Sequence, residues 1–173
     1  NFIFYDTGGK LELFKKINAA QISDLENISF GIFDFDEAYN DFNGLRETDN
    51  DKKIKGFGEI KGEEKDCLYR IREEGENKIF SLLLPVPKFR ESIANKKFKE
   101  KSMLSLELLF EDDILNDCGN LTVREIPGTT VSYFTGEKIK FAEKTKSFKK
   151  EHFKHFEPLF KRLFELSNIN NKK

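Results

Sequence analysis

The sequence predicts an α/β domain with a mostly parallel sheet, flanking helices and a β-rich insertion. Residues 2–6 form an apolar run typical of a strand, and residues 29–34 form a second one. Between them, the turn Thr7-Gly8-Gly9 leads into an amphipathic pattern over residues 10–25, which predicts a helix. A strand, a helix and a strand in this order form a βαβ unit, which implies parallel pairing and a right-handed crossover.

Length and charge set the general character of this domain. A chain of 173 residues is long enough for one domain with a real core. We expect residues 1–168 to form it, with 39–135 as a variable loop and hairpin region and 169–173 as a disordered tail. The chain opens on Asn1 in the middle of a strand pattern, which suggests a piece of a longer protein. The net charge of −1 argues against general attraction to nucleic acid but leaves room for a local basic face.

The remaining elements are predicted from turn residues and periodicity. Residues 39–65 are polar and contain glycines, so they are interpreted as a loop or lid. Hairpin strands are expected over 67–72 with 78–84, and over 121–126 with 131–134. Helical segments are expected over 88–101, 111–115 and 149–166, and residues 105–110 fit a short strand or a helix entry. Pro158 should kink or split the last helix near Glu157.

Cysteine usage and hydropathy point to a reducing compartment. Cys67 and Cys118 lack C-x-x-C spacing, so we expect buried free thiols. The sequence shows no signal peptide and no apolar run long enough to span a bilayer. We therefore expect a cytoplasmic protein without a membrane partner.

Carboxylates gather where the two predicted strands end. Asp34 and Asp36 stand at i and i+2, so at the end of the strand both can reach one small polar volume. Two carboxylates held there repel each other unless a cation lies between them, and oxygen ligands suit Mg²⁺ or Mn²⁺. Asp6 ends the neighbouring strand and should converge on the same edge of the sheet. The alternatives are a turn aspartate for Asp6, and a solvated helix start for Asp36 and Glu37.

These residues resemble a known family. The pattern Phe4-Tyr5-Asp6-Thr7-Gly8-Gly9-Lys10, followed by Gly31-Ile-Phe-Asp34-Phe-Asp36, resembles the TOPRIM domain of topoisomerases, bacterial primases and OLD-family nucleases. It is most similar to the abbreviated TOPRIM of bacterial defence proteins, which are often fused to an ABC-type ATPase. Residues 82–87, 105–110 and 136–142 are similar as well, although only Asp34-x-Asp36 matches a motif sharply. Asp6 stands where the family has Glu, Thr7 where it has Gly, and Lys10 where OLD-type members often have Asp.

The resemblance implies a TOPRIM-like Rossmannoid fold and a metal-dependent nuclease that hydrolyses DNA as a module of an anti-phage defence protein. It implies that Asp34, Asp36 and Glu107 hold Mg²⁺ or Mn²⁺, and that Asp6 is a ligand or the base for water. It also implies that Lys138 or Lys140 offsets the charge of the leaving group. For Glu107 the alternative is the polar face of an edge strand, and for each lysine it is an ordinary solvated side chain.

Two basic stretches are candidates for phosphate contacts, and Phe98 and Phe148 interleave them. Their lysines are Lys96, Lys97, Lys99, Lys146 and Lys149. The alternative is that both stretches are solvated helix faces. DNA is favoured over RNA as a partner, and an ATPase domain or subunit and a second copy of the chain are further candidates.

Two other functions fit the same residues. A degenerate TOPRIM scaffold would bind a protein or nucleic acid without catalysis, and the substitutions at Asp6 and Lys10 favour it. Residues 32–38 also resemble a Walker B strand, with Asp36 on Mg²⁺ and Glu37 activating water, which would make the chain a C-terminal fragment of an ABC-type ATPase. That interpretation needs a P-loop elsewhere, because the sequence contains none.

Overall fold

A computed structural model describes residues 10–19, 28–45, 56–74, 77–94, 101–126 and 129–168. Over these residues the chain is a mixed α/β protein with a three-stranded sheet and a two-stranded hairpin. The helices are α1 Lys10–Ala19, α2 Tyr39–Asn43, α3 Asp112–Asp117, α4 Lys138–Thr145 and α5 Glu157–Ser167. The strands are β1 Ser29–Phe33, β2 Tyr69–Glu74, β3 Asn77–Leu83, β4 Leu121–Ile126 and β5 Thr129–Phe134. Short 3₁₀ helices cover Glu64–Asp66, Lys88–Arg90, Leu106–Leu109 and Lys150–Phe156.

The larger sheet has the strand order β1-β3-β2. β1 pairs with β3 in parallel, and β2 pairs with β3 in antiparallel orientation, so both predicted arms of the first hairpin are confirmed. The last five residues of β3 are all buried, as a central strand with both faces covered requires. The described sheet is therefore mixed. The strand predicted for residues 2–6, on which the expected βαβ unit depends, lies outside the described residues.

Helix α1 packs closely on β1. Gly31 makes this possible, because a Cβ atom at that position would lie 2.0 Å from Cδ1 of Ile17. Ile17 is buried, and Leu13 and Phe14 pack against the same core. The predicted helix over residues 10–25 is present as α1, and residues 20–27 lie outside the described part of the chain.

The segment predicted to be a loop or lid is partly structured. It contains α2, whose Phe42 is fully buried, and Phe57 is buried as well. The guanidinium group of Arg70, itself buried, donates to the carbonyl oxygens of Asn43 at 3.1 Å and Gly58 at 2.8 Å. Tyr39–Asn43 is therefore a helix and not the predicted loop, whereas residues 56–63 form neither helix nor strand, as predicted, and the buried Arg70 ties both parts to β2.

The basic helix predicted over residues 88–101 is also wrong where the structure describes it. The chain makes a 3₁₀ turn at Lys88–Arg90 and bends on to Ile93. Arg90 is buried and donates to the carbonyl oxygens of Leu108 at 2.8 Å and Phe110 at 3.0 Å. An arginine that turns inward to satisfy two carbonyl groups is not part of a solvated basic face. Residues 95–100 lie outside the described chain.

The C-terminal helical region is divided into two helices near Glu157, as the position of Pro158 predicted. A 3₁₀ helix ends at Phe156 and α5 begins at Glu157, with Pro158 in the first turn, where its missing N–H costs no hydrogen bond. The Phe110 ring joins this region to the core through contacts with four other phenylalanines, which are Phe141, Phe148, Phe153 and Phe156. Helix α4 was not expected from the sequence. No helix among the described residues is long and apolar enough to cross a membrane.

Candidate acidic site at the end of β1

Asp34 is the first residue after β1 and lies beside the 101–110 segment. The bridge between Phe35 and Leu104, with the Leu104 N–H donating to the Phe35 carbonyl at 3.1 Å, brings the two segments together. One residue before that bridge, the Asp34 carboxylate accepts the backbone N–H of Leu106 at 3.0 Å. A partly buried carboxylate is thereby fixed at the carboxyl end of a strand.

Asp36 lies two residues further on, at the entry to α2. Its carboxylate accepts the N–H of Ala38 at 2.7 Å, and its carbonyl accepts the N–H of Tyr39 at 3.0 Å. These two contacts form a turn that leads into α2, whose N-cap is Ala38. Asp36 is also close enough to Asp34 for its charge to act on that carboxyl group.

Glu107 and Lys138 complete the group. Glu107 lies in the 3₁₀ helix Leu106–Leu109, not on an edge strand, and its side chain is only 12% exposed. One of its oxygens accepts the Ser105 hydroxyl at 2.7 Å, and the other pairs with the Lys138 ammonium at 3.0 Å. Lys138 is the first residue of α4, where the helix dipole disfavours a cation. Its position is therefore stabilised by the carboxylates that it faces.

The turn before α4 helps to place Lys138. Gly136 has φ of 116°, a conformation that side chains rarely adopt, and a Cβ atom there would lie 2.2 Å from Nδ2 of Asn120. The same Asn120 amide donates to the carbonyl of Thr135 at 2.7 Å. A glycine is therefore required at this point for α4 to begin where it does.

The four side chains of Asp34, Asp36, Glu107 and Lys138, hereafter the Asp34 cluster, are coupled electrostatically. Burial raises the pKa of Asp34 to about 6, with further increases from the charges of Asp36 and Glu107 and an opposing effect from Lys138. Burial acts to lower the pKa of Lys138, but the hydrogen bond to Glu107 and the charges of all three carboxylates outweigh it and raise that pKa. The cluster thus holds more negative than positive charge in a partly dehydrated place.

The donor chemistry of the cluster suits a hard cation. Asp34 and Asp36 offer carboxylate oxygens, the ligands that Mg²⁺ and Mn²⁺ prefer. Burial is the main cause of the raised pKa of Asp34, and the charges of Asp36 and Glu107 add to it, so a cation beside this carboxylate would stabilise its anion. Within the described ranges, however, no group of three or more His, Cys, Asp and Glu side chains has the arrangement to hold a metal ion. Glu107, predicted as a third ligand, pairs with Lys138 in this arrangement.

The other lysines proposed from sequence lie apart from this group or outside the description. Lys140 pairs with Glu137 at 2.7 Å on an exposed face of α4. Lys146 pairs with Glu143 at 2.6 Å, and Lys149 lies 3.8 Å from Glu151. All three have the surroundings of solvated surface lysines. Asp6, Lys96, Lys97 and Lys99 lie outside the described residues.

Sequence reasoning missed two groups that shape the site, the hydroxyl of Ser105 and the backbone N–H of Leu106. The Ser105-x-Glu107 spacing was the available signal, because a serine two residues from a carboxylate can donate to it within one turn. No sequence pattern could have predicted the hydrogen bond from the Leu106 N–H to Asp34, because the two residues lie 72 positions apart in the chain.

Comparison with known proteins found no relative of this chain. The chain matched no protein-family model, no curated protein and no solved structure. The resemblance to TOPRIM domains therefore depends on the sequence motifs alone.

Proposed function

We propose that this chain is a metal-dependent nuclease module that hydrolyses phosphodiester bonds in DNA at the Asp34 cluster. One observation carries the proposal. Asp34 is fixed by the Leu106 N–H at the end of a strand, with Asp36, Glu107 and Lys138 all close enough to act on its charge. Carboxylates converge from two separate segments on a place that favours added positive charge.

The role of each residue in the Asp34 cluster follows from the chemistry of its side chain. Asp34 and Asp36 would hold Mg²⁺ or Mn²⁺, an ion that stabilises charge on phosphoryl oxygens and makes bound water more acidic. The Lys138 ammonium, with its side chain 61% exposed, is accessible to a leaving oxygen and can offset the charge that develops there. Glu107 orients Lys138 and is itself oriented by Ser105.

The biological setting of this proposal comes from the resemblance. TOPRIM modules of the abbreviated type occur in bacterial defence proteins with an ATPase partner, so we propose that this nuclease works beside an ATPase domain or subunit. The Asp34-x-Asp36 motif and the apolar strand before it support that assignment.

A second candidate function has its own observation. Lys138 already pairs with Glu107, so a cation of the chain itself supplies part of the charge that a metal ion would bring. The same domain without catalysis would then bind a protein or a nucleic acid. This alternative predicts no metal-dependent cleavage and no calorimetric signal with Mn²⁺.

Cleavage of supercoiled plasmid in Mg²⁺ or Mn²⁺ tests the proposal, with single-stranded RNA as the second substrate. We expect nicking by the wild-type chain and a loss of about 100-fold or more in Asp34→Asn and Asp36→Asn, since each removes a charged ligand while keeping the shape. The nicking activity of Lys138→Met should fall by a comparable factor. Lys140→Met, two residues along the same helix but paired with Glu137, is the matched control and should retain activity.

Three results would redirect the assignment. Nicking that survives Asp34→Asn in a folded protein would exclude the Asp34 cluster as the active site. A wild-type chain that binds plasmid but neither cleaves it nor binds Mn²⁺ would support the scaffold. ATP turnover without nicking would support the ATPase fragment.

A further inference from the structure

Each partner of the Lys138–Glu107 ion pair stands three residues before a phenylalanine. Phe110 follows Glu107, and its N–H donates to the Glu107 carbonyl at 3.1 Å, which closes the turn. Phe141 follows Lys138 on α4, and residues three apart lie on the same side of a helix. The Phe110 and Phe141 rings meet edge to face, with centroids 5.4 Å apart. The ion pair and the ring pair therefore join the same two segments.

The ring pair is the stronger of these two connections. Lys138 is mostly exposed, and an ion pair with an exposed lysine on a flexible stem contributes little to holding two segments in place. Phe110 and Phe141 are each less than 5% exposed, and buried aromatic pairs gain both from burial and from ring geometry. Phe141 also contacts Phe134 of β5, with ring centroids 5.1 Å apart, and Phe148, with ring centroids 6.0 Å apart.

We propose that Phe141 is a positioning residue of the acidic site, which holds α4 against Phe110 so that the Lys138 ammonium faces Glu107. The catalytic part of this inference rests on the proposed nuclease function. The positional part does not, because it concerns only where the ammonium group lies in the metal-free protein.

Phe153 supplies a matched control. Its ring also meets the Phe110 ring, with centroids 5.3 Å apart, and its other ring contacts are with Phe148 and Phe156. It belongs to the 3₁₀ helix Lys150–Phe156 and not to α4. Replacing either Phe141 or Phe153 by Leu removes an aromatic contact from Phe110, but only the first change releases the helix that carries Lys138.

The test is an NMR measurement of the nuclear Overhauser effect between the ε-methylene of Lys138 and the γ-methylene of Glu107, without metal. We expect the cross-peak in the wild type and in Phe153→Leu, and its loss in Phe141→Leu. Phe141→Met, whose flexible side chain fills irregular gaps in a core, provides the measurement if Phe141→Leu does not fold. Retention of the cross-peak in the folded Phe141 variant would overturn the inference, and so would its loss in both Phe141→Leu and Phe153→Leu.

Plasmid nicking measured on the same variants separates this inference from the proposed function. If the wild type cleaves, we expect Phe141→Leu to reduce kcat at least 10-fold with little change in KM, and Phe153→Leu to stay within 2-fold. Equal kcat losses in the two variants would overturn the positioning role. If the wild type does not cleave, the proposed function fails, while the cross-peak still decides where Phe141 places Lys138.

Discussion

Among single residues, Asp34 shows the greatest conflict between charge and surroundings. Its ordinary pKa of 3.8 is raised to about 6, first by burial and then by Asp36 and Glu107. The folded protein therefore binds more protons than the unfolded chain between those two values. The contribution of Asp34 to the free energy of unfolding therefore falls as the pH rises from about 4 to about 6, and levels off above that range.

Asp34→Asn should remove this pH dependence. The amide oxygen can still accept the Leu106 N–H, but the side chain carries no charge. We expect the variant to be more stable than the wild type by about 1–3 kcal/mol at pH 7 in EDTA, and equally stable near pH 4. Urea unfolding between pH 4 and pH 8 measures the difference, with exposed Asp117→Asn as the control. A variant less stable than the wild type at pH 7 would contradict this account of Asp34.

The two cysteines should differ in reactivity. Both thiols are free, Cys67 is fully buried, and burial raises its pKa to about 12. Cys118 is partly exposed. We expect a thiol reagent at pH 8 to modify Cys118 in the native protein and Cys67 only after urea unfolding, because the thiolate is the reactive form. Rapid labelling of native Cys118→Ser would show that Cys67 is accessible.

At the scale of elements, Gly31 sets the distance between α1 and the sheet. Gly31→Ala would place its methyl group against Ile17, and we expect a loss of about 1–3 kcal/mol in unfolding free energy from this overpacking. The atom nearest to the new methyl group is Cδ1 of Ile17, which Ile17→Val removes. The double variant should therefore recover part of the loss. Thermal unfolding of the four proteins of this cycle gives the coupling, and additive losses would argue against close packing of α1 on β1.

Elements were predictable from sequence where the signal was local. Alternating and apolar runs with turn residues between them predicted both hairpins, and Pro158 marked the break before α5, because its ring forbids a continuous helix there. The burial of Arg70 and Arg90 could not be predicted from such local patterns. A charged residue is expected outside, and only the tertiary fold brings the carbonyl groups that satisfy these two guanidinium groups in the interior.

The candidate site shows the same division. The position of Asp34 and Asp36 after an apolar strand follows from pattern alone, and their approach to one another follows from spacing. The choice between Lys138 and Lys140 could not be made from sequence, because it depends on which face of α4 meets the 3₁₀ helix Leu106–Leu109. That orientation is set by the rings of Phe110 and Phe141, far apart in the chain.

At the scale of the whole molecule, Arg70 connects three parts of the chain. It lies on β2 and donates to carbonyl groups at the end of α2 and in residues 57–58. We expect Arg70→Met to lower the unfolding free energy by about 3 kcal/mol or more, because several buried carbonyl groups lose their donor together. Arg70→Lys should recover little, since one ammonium group cannot reach the positions of a planar guanidinium. Urea unfolding measures both, and a loss under 1 kcal/mol in Arg70→Met would refute this role.

Metal binding should be visible as stability of the entire protein. A ligand that binds only the folded state at 100 times its Kd adds about 2.7 kcal/mol, which for a chain of this size corresponds to about 5–10 °C in Tm. We expect Mn²⁺ to raise the Tm of the wild type and to leave Asp36→Asn unchanged, as followed by circular dichroism. An equal increase in both proteins would place the ion elsewhere.

The parallel pair of β1 and β3 has a consequence for how the chain acquires its fold. The register puts Ser29 opposite Ile79, 50 positions further along the chain, whereas Glu74 pairs with Asn77, only three positions further on. Pairing β1 with β3 closes a long loop and costs more chain entropy than pairing β2 with β3. The β1–β3 pair should therefore form more slowly, and β1 should be the last strand to join the sheet. The acidic residues come together only on that docking. A newly synthesised or partly unfolded copy of the chain therefore lacks the acidic site. Any activity of that site belongs to the fully folded protein alone.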